Sequence, residues 1–312
     1  MNALLSSLAT GLGQGAVYAV IAVGFVIIYR ATGVLNFAQP ALLILGTFAT
    51  SVFATEMGLP FWVAVPLAMI VLAGVSAGVE RIAIRPMVGR PPFSAAIVTV
   101  GLFIVLLVIA FRLFDSKSRT VGDPWQLSAI CLGGEVTESF GVTGCTGGVQ
   151  IYENAIARFV IALAVIGLLG LWLTRSKLGL AMRATSLDQE TALAQGINVG
   201  RMFSISWAIG GGMAALAGAL LAANGSVVQA TDALFALVAL PAIIIGGLDS
   251  LKGAVVGGLI VGVAMALTKT YQPQFAPWLG ANFENVIPYL LMLVVLLIRP
   301  YGLFGTREVQ RV

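Results

Sequence analysis

The polar side chains that lie within or beside the apolar runs of this chain are uncharged amides and hydroxyls. Asn36 and Gln39 fall in the stretch GVLNFAQPALLILG, and Thr99 and Asn224 lie near two other apolar runs. Amides and hydroxyls bind polar groups by hydrogen bonds. These four residues are therefore candidates for lining a polar path. The alternative for Thr99 and Asn224 is a bond to a neighbouring helix or to their own backbone.

The stretch around Asn36 has the residues of a broken helix. Gly33 and Asn36 favour the end of one helix, and Pro40 fits the first turn of the next, where a missing amide hydrogen costs least. A broken helix exposes backbone dipoles, which transporters use beside a substrate path. A plain turn between two helices is the alternative, and it suits Gln39 better than Asn36.

Ionisable residues are missing from the interiors of the long apolar runs, and the chain contains no histidine. Proton-coupled and sodium-coupled carriers need such groups at mid-membrane, and so does acid–base catalysis there. The nucleotide-binding pattern GxxxxGK[ST] is also missing. The sequence therefore predicts no catalytic residue, no bound metal and no cofactor. It indicates a pore-forming subunit that other proteins drive.

Composition places the chain in a membrane. Hydrophobic residues make up 59% of the 312 residues and charged residues only 10%, with a mean hydropathy of +1.01. A soluble domain carries about 25% charged residues. We expect one all-α polytopic bundle over residues 1–312, with about 8–10 transmembrane segments, some of them short or broken. The candidate spans are 10–29, 38–55, 60–79, 94–111, 155–173, 205–223, 234–248, 253–268 and 285–298.

Basic residues in the connecting segments predict the orientation. If segment 174–204 lies in the cytoplasm and the spans alternate, twelve Lys and Arg residues fall in the cytoplasm and five fall outside. Cytoplasmic loops of membrane proteins carry an excess of Lys and Arg, so this count favours the assignment. We expect the N-terminus outside and the C-terminus in the cytoplasm.

Segment 112–154 is expected to be an extracytoplasmic loop insertion. It is rich in Gly, Ser and Thr and holds the only two cysteines of the chain, Cys131 and Cys145. In an oxidising compartment they could close a disulfide across a loop that has no hydrophobic core; two unpaired thiols are the alternative. A metal site is not indicated, because there is no histidine and no second cysteine pair.

Segment 174–204 is the longest polar interruption that carries a helix of its own. Ser186 is expected to cap the N-terminus of this helix, with Gln189 reaching back three residues later in a capping box. Asp188 and Glu190 would then lie in the first turn, where the helix dipole favours negative charge.

The other end of this short helix is expected at Gly196. A glycine followed by apolar Ile197 is typical of a helix that closes with a left-handed residue and a hydrophobic contact onto its last turn. Four basic residues would hold the helix at the membrane surface: Arg175, Lys177, Arg183 and Arg201. Such a helix is suited to docking onto a partner. An ordinary solvated loop is the alternative.

Five separated stretches carry a likeness to a known family. They are GVLNFAQPALLILGTF at 33–48, ERIAIRPM at 80–87, RATSLDQETALAQGINVGRMFSISWAIGGGMAALAGAL at 183–220, GGLDSLKGAVVGGLIVG at 246–262 and PYLLMLVVLLIRPYGLFG at 288–305. In these stretches the chain resembles the permease subunits of branched-chain amino acid ABC importers, of the LivH type. The resemblance covers nearly the whole chain except residues 112–154.

The resemblance implies a transport subunit, not an enzyme, in the bacterial inner membrane. Its implied partners are a second permease of the LivM type, two cytoplasmic ABC ATPase subunits and an extracytoplasmic substrate-binding protein. ATP-driven movement of a coupling helix would switch the paired permeases between inward-facing and outward-facing states. The residues that match this coupling helix are Ser186, Leu187, Asp188, Glu190, Ala192, Gly196 and Ile197.

The chain departs from the family pattern at Pro40, where glycine is more frequent, and in its long outer loop. Relatives of this architecture also import urea, short amides and aromatic acids, so these solutes remain open beside branched-chain and other hydrophobic amino acids. The competing function is a stand-alone channel or facilitator, which spans without charges also fit. A membrane-embedded transferase fits less well, because acidic metal-binding motifs are missing.

Overall fold

The computed structural model describes residues 2–87, 92–114, 119–126, 128–139, 142–223 and 236–306. The candidate residue Asn224 lies outside these ranges. Within them the chain forms eleven α-helices: α1 Asn2–Thr32, α2 Gln39–Ser51, α3 Phe61–Val79, α4 Pro92–Phe114, α5 Glu153–Arg175, α6 Lys177–Leu187, α7 Gln189–Ala194, α8 Val199–Ala222, α9 Ala239–Gly246, α10 Leu251–Phe275 and α11 Ile287–Ile298. Four strands complete it: β1 Ala129–Leu132, β2 Glu135–Ser139, β3 Val142–Thr146 and β4 Val149–Tyr152.

Six helices in the described residues are long and apolar enough to cross a membrane. They are Asn2–Thr32, Phe61–Met87, Phe93–Phe114, Glu153–Arg175, Val199–Ala222 and Leu251–Phe275. Each coincides with one predicted span. The other three predicted spans correspond to the shorter helices α2, α9 and α11. The prediction of an all-α polytopic membrane bundle with short or broken members is thus confirmed.

Helix α2 is short because it begins inside the bundle. After α1 ends at Thr32, residues 33–38 turn back along it, and Gln39 lies beside Gly24, eight residues before that end. At 1.5 Å per residue this level is about 12 Å inside the end of α1. A π-helical turn, Val52–Glu56, then extends α2 to a total of 18 residues over 39–56. The break is tolerated because protein surrounds it.

Helices α1 and α8 form the centre of the bundle, and α3, α4 and α5 form much of its outer surface. Glycines bring the central helices into backbone contact. A Cβ built at Gly262 of α10 would lie 2.2 Å from Cα of Gly15 on α1, and one at Gly46 of α2 would lie 2.4 Å from Cα of Ala215 on α8. Packing of this kind, rather than hydrophobicity, holds helices together in lipid.

The four strands lie beside the N-terminus of α1. Strand β1 pairs with β4 and β2 pairs with β3, both antiparallel. Asn2 donates a hydrogen bond to the carbonyl oxygen of Gly147 at 3.0 Å. Cys131 and Cys145 form a disulfide with a Cα–Cα distance of 5.4 Å. We call this end of the bundle the strand end, and the opposite end, where α7 packs beside Ala31 of α1, the α7 end.

The disulfide is expected to stabilise the strand region locally. Replacing both cysteines, Cys131→Ser with Cys145→Ser, opens a loop of 14-residue sequence separation, which corresponds to about 3 kcal/mol of loop-closure free energy. We expect faster limited proteolysis within 119–152 of the detergent-purified protein and little change in the thermal unfolding of the bundle. Reduced wild-type protein is the control. Equal proteolysis rates in variant and wild type would contradict the prediction.

A polar vestibule, a capped surface helix and a buried ion pair

Three of the four proposed path residues meet at the break between α1 and α2. Asn36 donates to the side-chain oxygen of Gln39 at 3.2 Å, and Gln39 Nε2 donates to the carbonyl oxygen of Gly210 on α8 at 2.9 Å. The hydroxyl of Thr99 accepts from the amide of Phe37 at 3.1 Å. All three side chains are buried.

These hydrogen bonds give the three side chains partners at the helix break, and their predicted role beside a solute path stays a prediction. They bond one another and the backbone: Asn36 Oδ1 also accepts from the amide of Ala38 at 3.0 Å, and the Thr99 hydroxyl donates to the carbonyls of Ala96 at 2.7 Å and Leu35 at 3.2 Å. A helix break inside a membrane leaves amides and carbonyls that need partners. Asn36, Gln39 and Thr99 supply those partners, and none of them lines the cavity described next.

A vestibule of about 860 Å³ opens at the strand end between α1, α2, α8 and α10. Its most polar wall belongs to α1, on which the lining residues recur every three or four positions. They are Ala3, Ser6, Ser7, Thr10, Gln14 and Tyr18. Spacing of this kind places them on one helical face. The sequence analysis did not predict this polar stripe, although its spacing is visible in the sequence.

The chemistry of the vestibule is mixed. Among the described residues that line it, Lys269 on α10 and Glu284 before α11 carry charge, and the rest are polar or apolar. Its apolar surface comes from Leu43, Ile44, Leu221 and Met265. Hydrogen bonds order part of the wall, since Ser7 and Thr270 share one of 2.7 Å and Gln14 donates to the hydroxyl of Tyr18 at 2.9 Å. A solute with both charged and apolar parts matches such a surface.

Helix α7 is the short helix expected in segment 174–204, but its N-terminal cap differs from the prediction. Asp188 is the cap, and its carboxylate accepts from the amides of Glu190 at 2.9 Å and Thr191 at 3.2 Å. Ser186 instead lies in the last turn of α6, and its hydroxyl donates to the carbonyl of Arg183 at 2.7 Å. Gln189 is the first residue of α7, so no capping box forms.

The N-cap of α7 is Asp188 rather than Ser186 because α6 continues past Ser186. Ser176 caps α6 by accepting from the amide of Gly179, and the helix stays regular because Met182 and Thr185 are buried on its inner face.

Hydrogen bonds from Thr191 lower the pKa of the Asp188 carboxyl. Because this pKa is lower in the folded chain, the cap is at full strength above the ordinary carboxyl pKa and weakens only as the pH falls through the lowered value.

The C-terminus of α7 is closed by a Schellman motif. Gly196 has φ +80°, its amide donates to the carbonyl of Leu193 at 3.0 Å, and the amide of Ile197 donates to the carbonyl of Ala192 at 3.0 Å. Ala192 and Ile197 pack in one apolar cluster with residues of α1 and α8. The motif therefore anchors α7 on two central helices.

The outer face of the α6–α7 corner is left uncovered. Leu187 is 88% exposed and Leu193 is 57% exposed, and Glu190 beside them is also exposed. Both leucines thus present apolar surface outward at the α7 end of the bundle. Of the expected coupling residues, Ala192 and Ile197 therefore pack against the bundle, whereas Leu187 and Glu190 are exposed.

A buried ion pair at the α7 end was not predicted. Glu80 is fully buried in a π-helical turn that continues α3 beyond its predicted end at 79. Arg85 Nη2 lies 3.4 Å from the carboxylate of Glu80. It also donates to the carbonyl of Gly200 and the hydroxyl of Ser204, each at 2.8 Å. Ser204 also donates to Glu80. These contacts tie α3 to the first turns of α8, which follows directly after α7.

A bundle of membrane-spanning helices with a vestibule at one end and an exposed capped helix at the other is the architecture of a membrane transport subunit. In the described residues no group of three or more His, Cys, Asp or Glu is placed to hold a metal ion. Residues 7–296 match the family described as branched-chain amino acid transport system / permease component. The chain belongs to this family, whose members are permease components of ABC importers.

Curated relatives resemble the chain over nearly its full length. The permease protein BraD of a high-affinity branched-chain amino acid transport system, from Pseudomonas aeruginosa, is 31% identical over 99% of this chain and 98% of its own. The LivH permease of Escherichia coli K12 is 29% identical over 99% and 97%. A fructose import permease, FruF of Bifidobacterium longum, is 25% identical over 94% and 77%. The chain is thus a multi-pass inner-membrane transport subunit, like these relatives.

Proposed function

We propose that this permease moves branched-chain or similar hydrophobic amino acids inward across the membrane. The observation that carries the proposal is full-length similarity at about 30% identity to relatives named for branched-chain amino acid transport. Similarity to the fructose permease FruF is lower and covers less of that relative. Urea, short amides and aromatic acids are the related solutes that a transport assay should include.

The vestibule supports an amino acid as the solute. A hydrophobic amino acid is a zwitterion with an apolar side chain. Lys269 and Glu284 offer one charge of each sign, and Leu221 and Met265 offer apolar surface in the same cavity. The walls between them carry hydroxyls and amides, which hydrogen-bond ammonium and carboxylate groups without trapping either of them. A solute can therefore enter and leave such a path.

The strand end would face outward and the α7 end would face the cytoplasm. The excess of Lys and Arg in the segments of the α7 end supports this orientation. The disulfide supports it as well, because disulfides persist in oxidising compartments and are rare in the cytoplasm. The N-terminus then lies outside and the C-terminus inside, and a substrate-binding protein would deliver solute at the strand end.

The full importer would contain four further subunits of this chain's system. A second permease of the LivM type pairs with this chain, two ABC ATPases dock at the α7 end, and one extracytoplasmic protein binds the solute. Helix α7 with its flanking residues would be the coupling helix, with Leu187 and Leu193 turned toward an ATPase and Ala192 and Ile197 turned toward the bundle. Movement of an ATPase would then pass through α7 to α1 and α8.

Recovery of the complex from its native membrane tests this composition. We expect a pull-down of the chain in mild detergent to bring an ATPase with a GxxxxGK[ST] motif and a second permease, both identified by mass spectrometry. Proteoliposomes of the complex should take up radiolabelled leucine only with ATP and the binding protein. A chain that is recovered alone and still conducts leucine in liposomes would instead be a stand-alone channel.

A substitution at Gly196 tests the coupling role. Valine is expected to be strained at φ +80°, by about 1–2 kcal/mol, and to loosen the end of α7. No atom lies within 4 Å of a Cβ at this position, so the strain is conformational and not a steric clash. We expect Gly196→Val to reduce the ATPase recovered with the chain and to uncouple ATP hydrolysis from uptake.

Gly196→Asn is the matched control, because asparagine tolerates the left-handed conformation. It should retain ATPase association and transport near the wild-type level. If both variants transport equally well, α7 does not couple the ATPase to the bundle.

A further inference from the structure

A groove at the α7 end lies between α1, α5, α6 and α10. Its volume is about 420 Å³, and it opens along α5, which has the lowest buried share of the six spanning helices in the described residues. Gly167 and Gly170 of α5 line it, and no atom lies within 4 Å of a Cβ built at either position. The groove is therefore open on the outer surface of the bundle, not a gap inside the core.

Three basic side chains surround this groove. They come from separate helices: Arg30 from the last turn of α1, Arg183 from α6 and Lys252 from the first turn of α10. No carboxylate lines the groove in the described part of the chain, and none of the three forms an ion pair there. Arg183 also donates to the carbonyl of Leu173, which holds its guanidinium at the groove. The result is a concentration of positive charge that no carboxylate of the described residues neutralises.

A narrower apolar slot continues the groove toward the middle of the bundle. It has a volume of about 150 Å³, shares Gly170 and Lys252 with the groove, and reaches Val23 of α1 and Ile166 of α5. Val23 lies seven residues, or about 10 Å, further from the α7 end than Arg30. The two cavities together thus run from a basic mouth to an apolar interior along the direction of a lipid acyl chain.

The depth of the mouth agrees with the headgroup level of a bilayer. Trp172 lies between the groove residues Leu171 and Leu173 and is 38% exposed. Tryptophan concentrates at membrane–water interfaces, where its ring spans apolar and polar surroundings. A ligand that enters here would have its polar group beside the three cations and its tail among apolar side chains.

We propose that this groove binds an anionic phospholipid. The phosphodiester would lie among Arg30, Arg183 and Lys252, and one acyl chain would lie along Gly170 toward Val23. Basic pockets between helices at the cytoplasmic side of a membrane have the charge and shape to hold anionic headgroups. The leaflet follows from the orientation proposed above, but the site itself does not depend on it. Because the lipid would touch α1, α6 and α10 together, it would also brace the segment that leads into α7.

Binding is tested with the complex as purified from its native membrane, by native mass spectrometry during titration with phosphatidylglycerol or phosphatidylcholine. We expect wild-type protein to prefer phosphatidylglycerol. Arg30→Gln combined with Lys252→Gln should lower the affinity for phosphatidylglycerol about 25-fold, at about fivefold for each cation lost near the surface. Gly170→Leu should reduce binding of both lipids, because its side chain fills the junction of groove and slot.

Two control variants separate lipid binding at the groove from general effects of surface charge and of a larger side chain on a helix surface. Arg201→Gln removes an exposed cation of the same end that does not line the groove, and Gly101→Leu fills an exposed glycine of α4 with open space beside it. Both should bind phosphatidylglycerol like wild type. The proposal is overturned if the double variant keeps its preference, or if Gly170→Leu keeps full lipid binding but loses a protein subunit, since the groove would then be a protein interface. These readouts need no transport, so they stand apart from the proposed solute.

Discussion

Replacing Arg85 by methionine is expected to destabilise the protein by about 3 kcal/mol and to abolish ATP-driven transport. The substitution leaves the Glu80 carboxylate fully buried with Ser204 as its remaining partner. Removing one member of a buried ion pair typically costs 3–5 kcal/mol, and the lower end applies because the Arg85 side chain is 36% exposed. Transport should fail because the pair joins α3 to α8, the helix that follows α7.

Two further variants separate the contribution of the Glu80–Arg85 ion pair from the loss of a positive charge alone. Arg81→Met removes an exposed cation from the same π-helical turn and should change the unfolding free energy by less than about 0.5 kcal/mol. Glu80→Gln combined with Arg85→Met removes both charges and should recover most of the loss, because no charge is then buried alone. Unfolding of detergent-purified protein by increasing sodium dodecyl sulfate measures each value. The interpretation is wrong if Arg85→Met and Arg81→Met are equally stable.

A thiol placed in the vestibule is expected to make transport sensitive to chemical block. Thr10 is exposed on the polar face of α1 and lines the vestibule. The two cysteines of the chain are joined to each other, so Thr10→Cys would carry the single free thiol. We expect the variant to transport normally and to lose nearly all uptake after a membrane-impermeant, positively charged methanethiosulfonate reagent is added from outside. The bulk and charge of the adduct would fill the path.

Leu12→Cys is the matched control, since Leu12 is 37% exposed two residues away on α1 and does not line the vestibule. Its transport should survive the same treatment. A Thr10→Cys protein that is fully labelled yet still transports would show that solute takes another route. Labelling from the cytoplasmic side alone would show that the proposed orientation is inverted.

Features that depend on short-range pattern were predictable from the sequence. Long apolar runs with charges at their ends identified the six spanning helices, because lipid imposes length and composition on each helix separately. The end of α7 at Gly196 was predictable for a similar reason, since a glycine followed by an apolar residue encodes its own turn. The start of α7 was not, because both Ser186 and Asp188 can cap a helix, and burial of α6 against the bundle decided between them.

The tertiary structure decided where the polar groups act. Asn36 and Gln39 stood out in the sequence as a broken helix, yet the partner that holds Gln39 at the break is the carbonyl of Gly210 on α8, more than 170 residues away. The ion pair of Glu80 is likewise completed by Ser204, at a separation of 124 residues. The vestibule forms only where the polar face of α1 meets α2, α8 and α10.

The sequence by itself thus determined the class of protein, the family, the spans and the existence of a capped helix between two of them. The tertiary structure decided which end of the bundle holds the vestibule, which polar side chains form hydrogen bonds at the helix break, and which charges meet inside the protein. The physical reason is the distance along the chain over which each interaction acts. Hydropathy and capping act within about one helix length, whereas hydrogen bonds and ion pairs between helices depend on packing that no local pattern specifies.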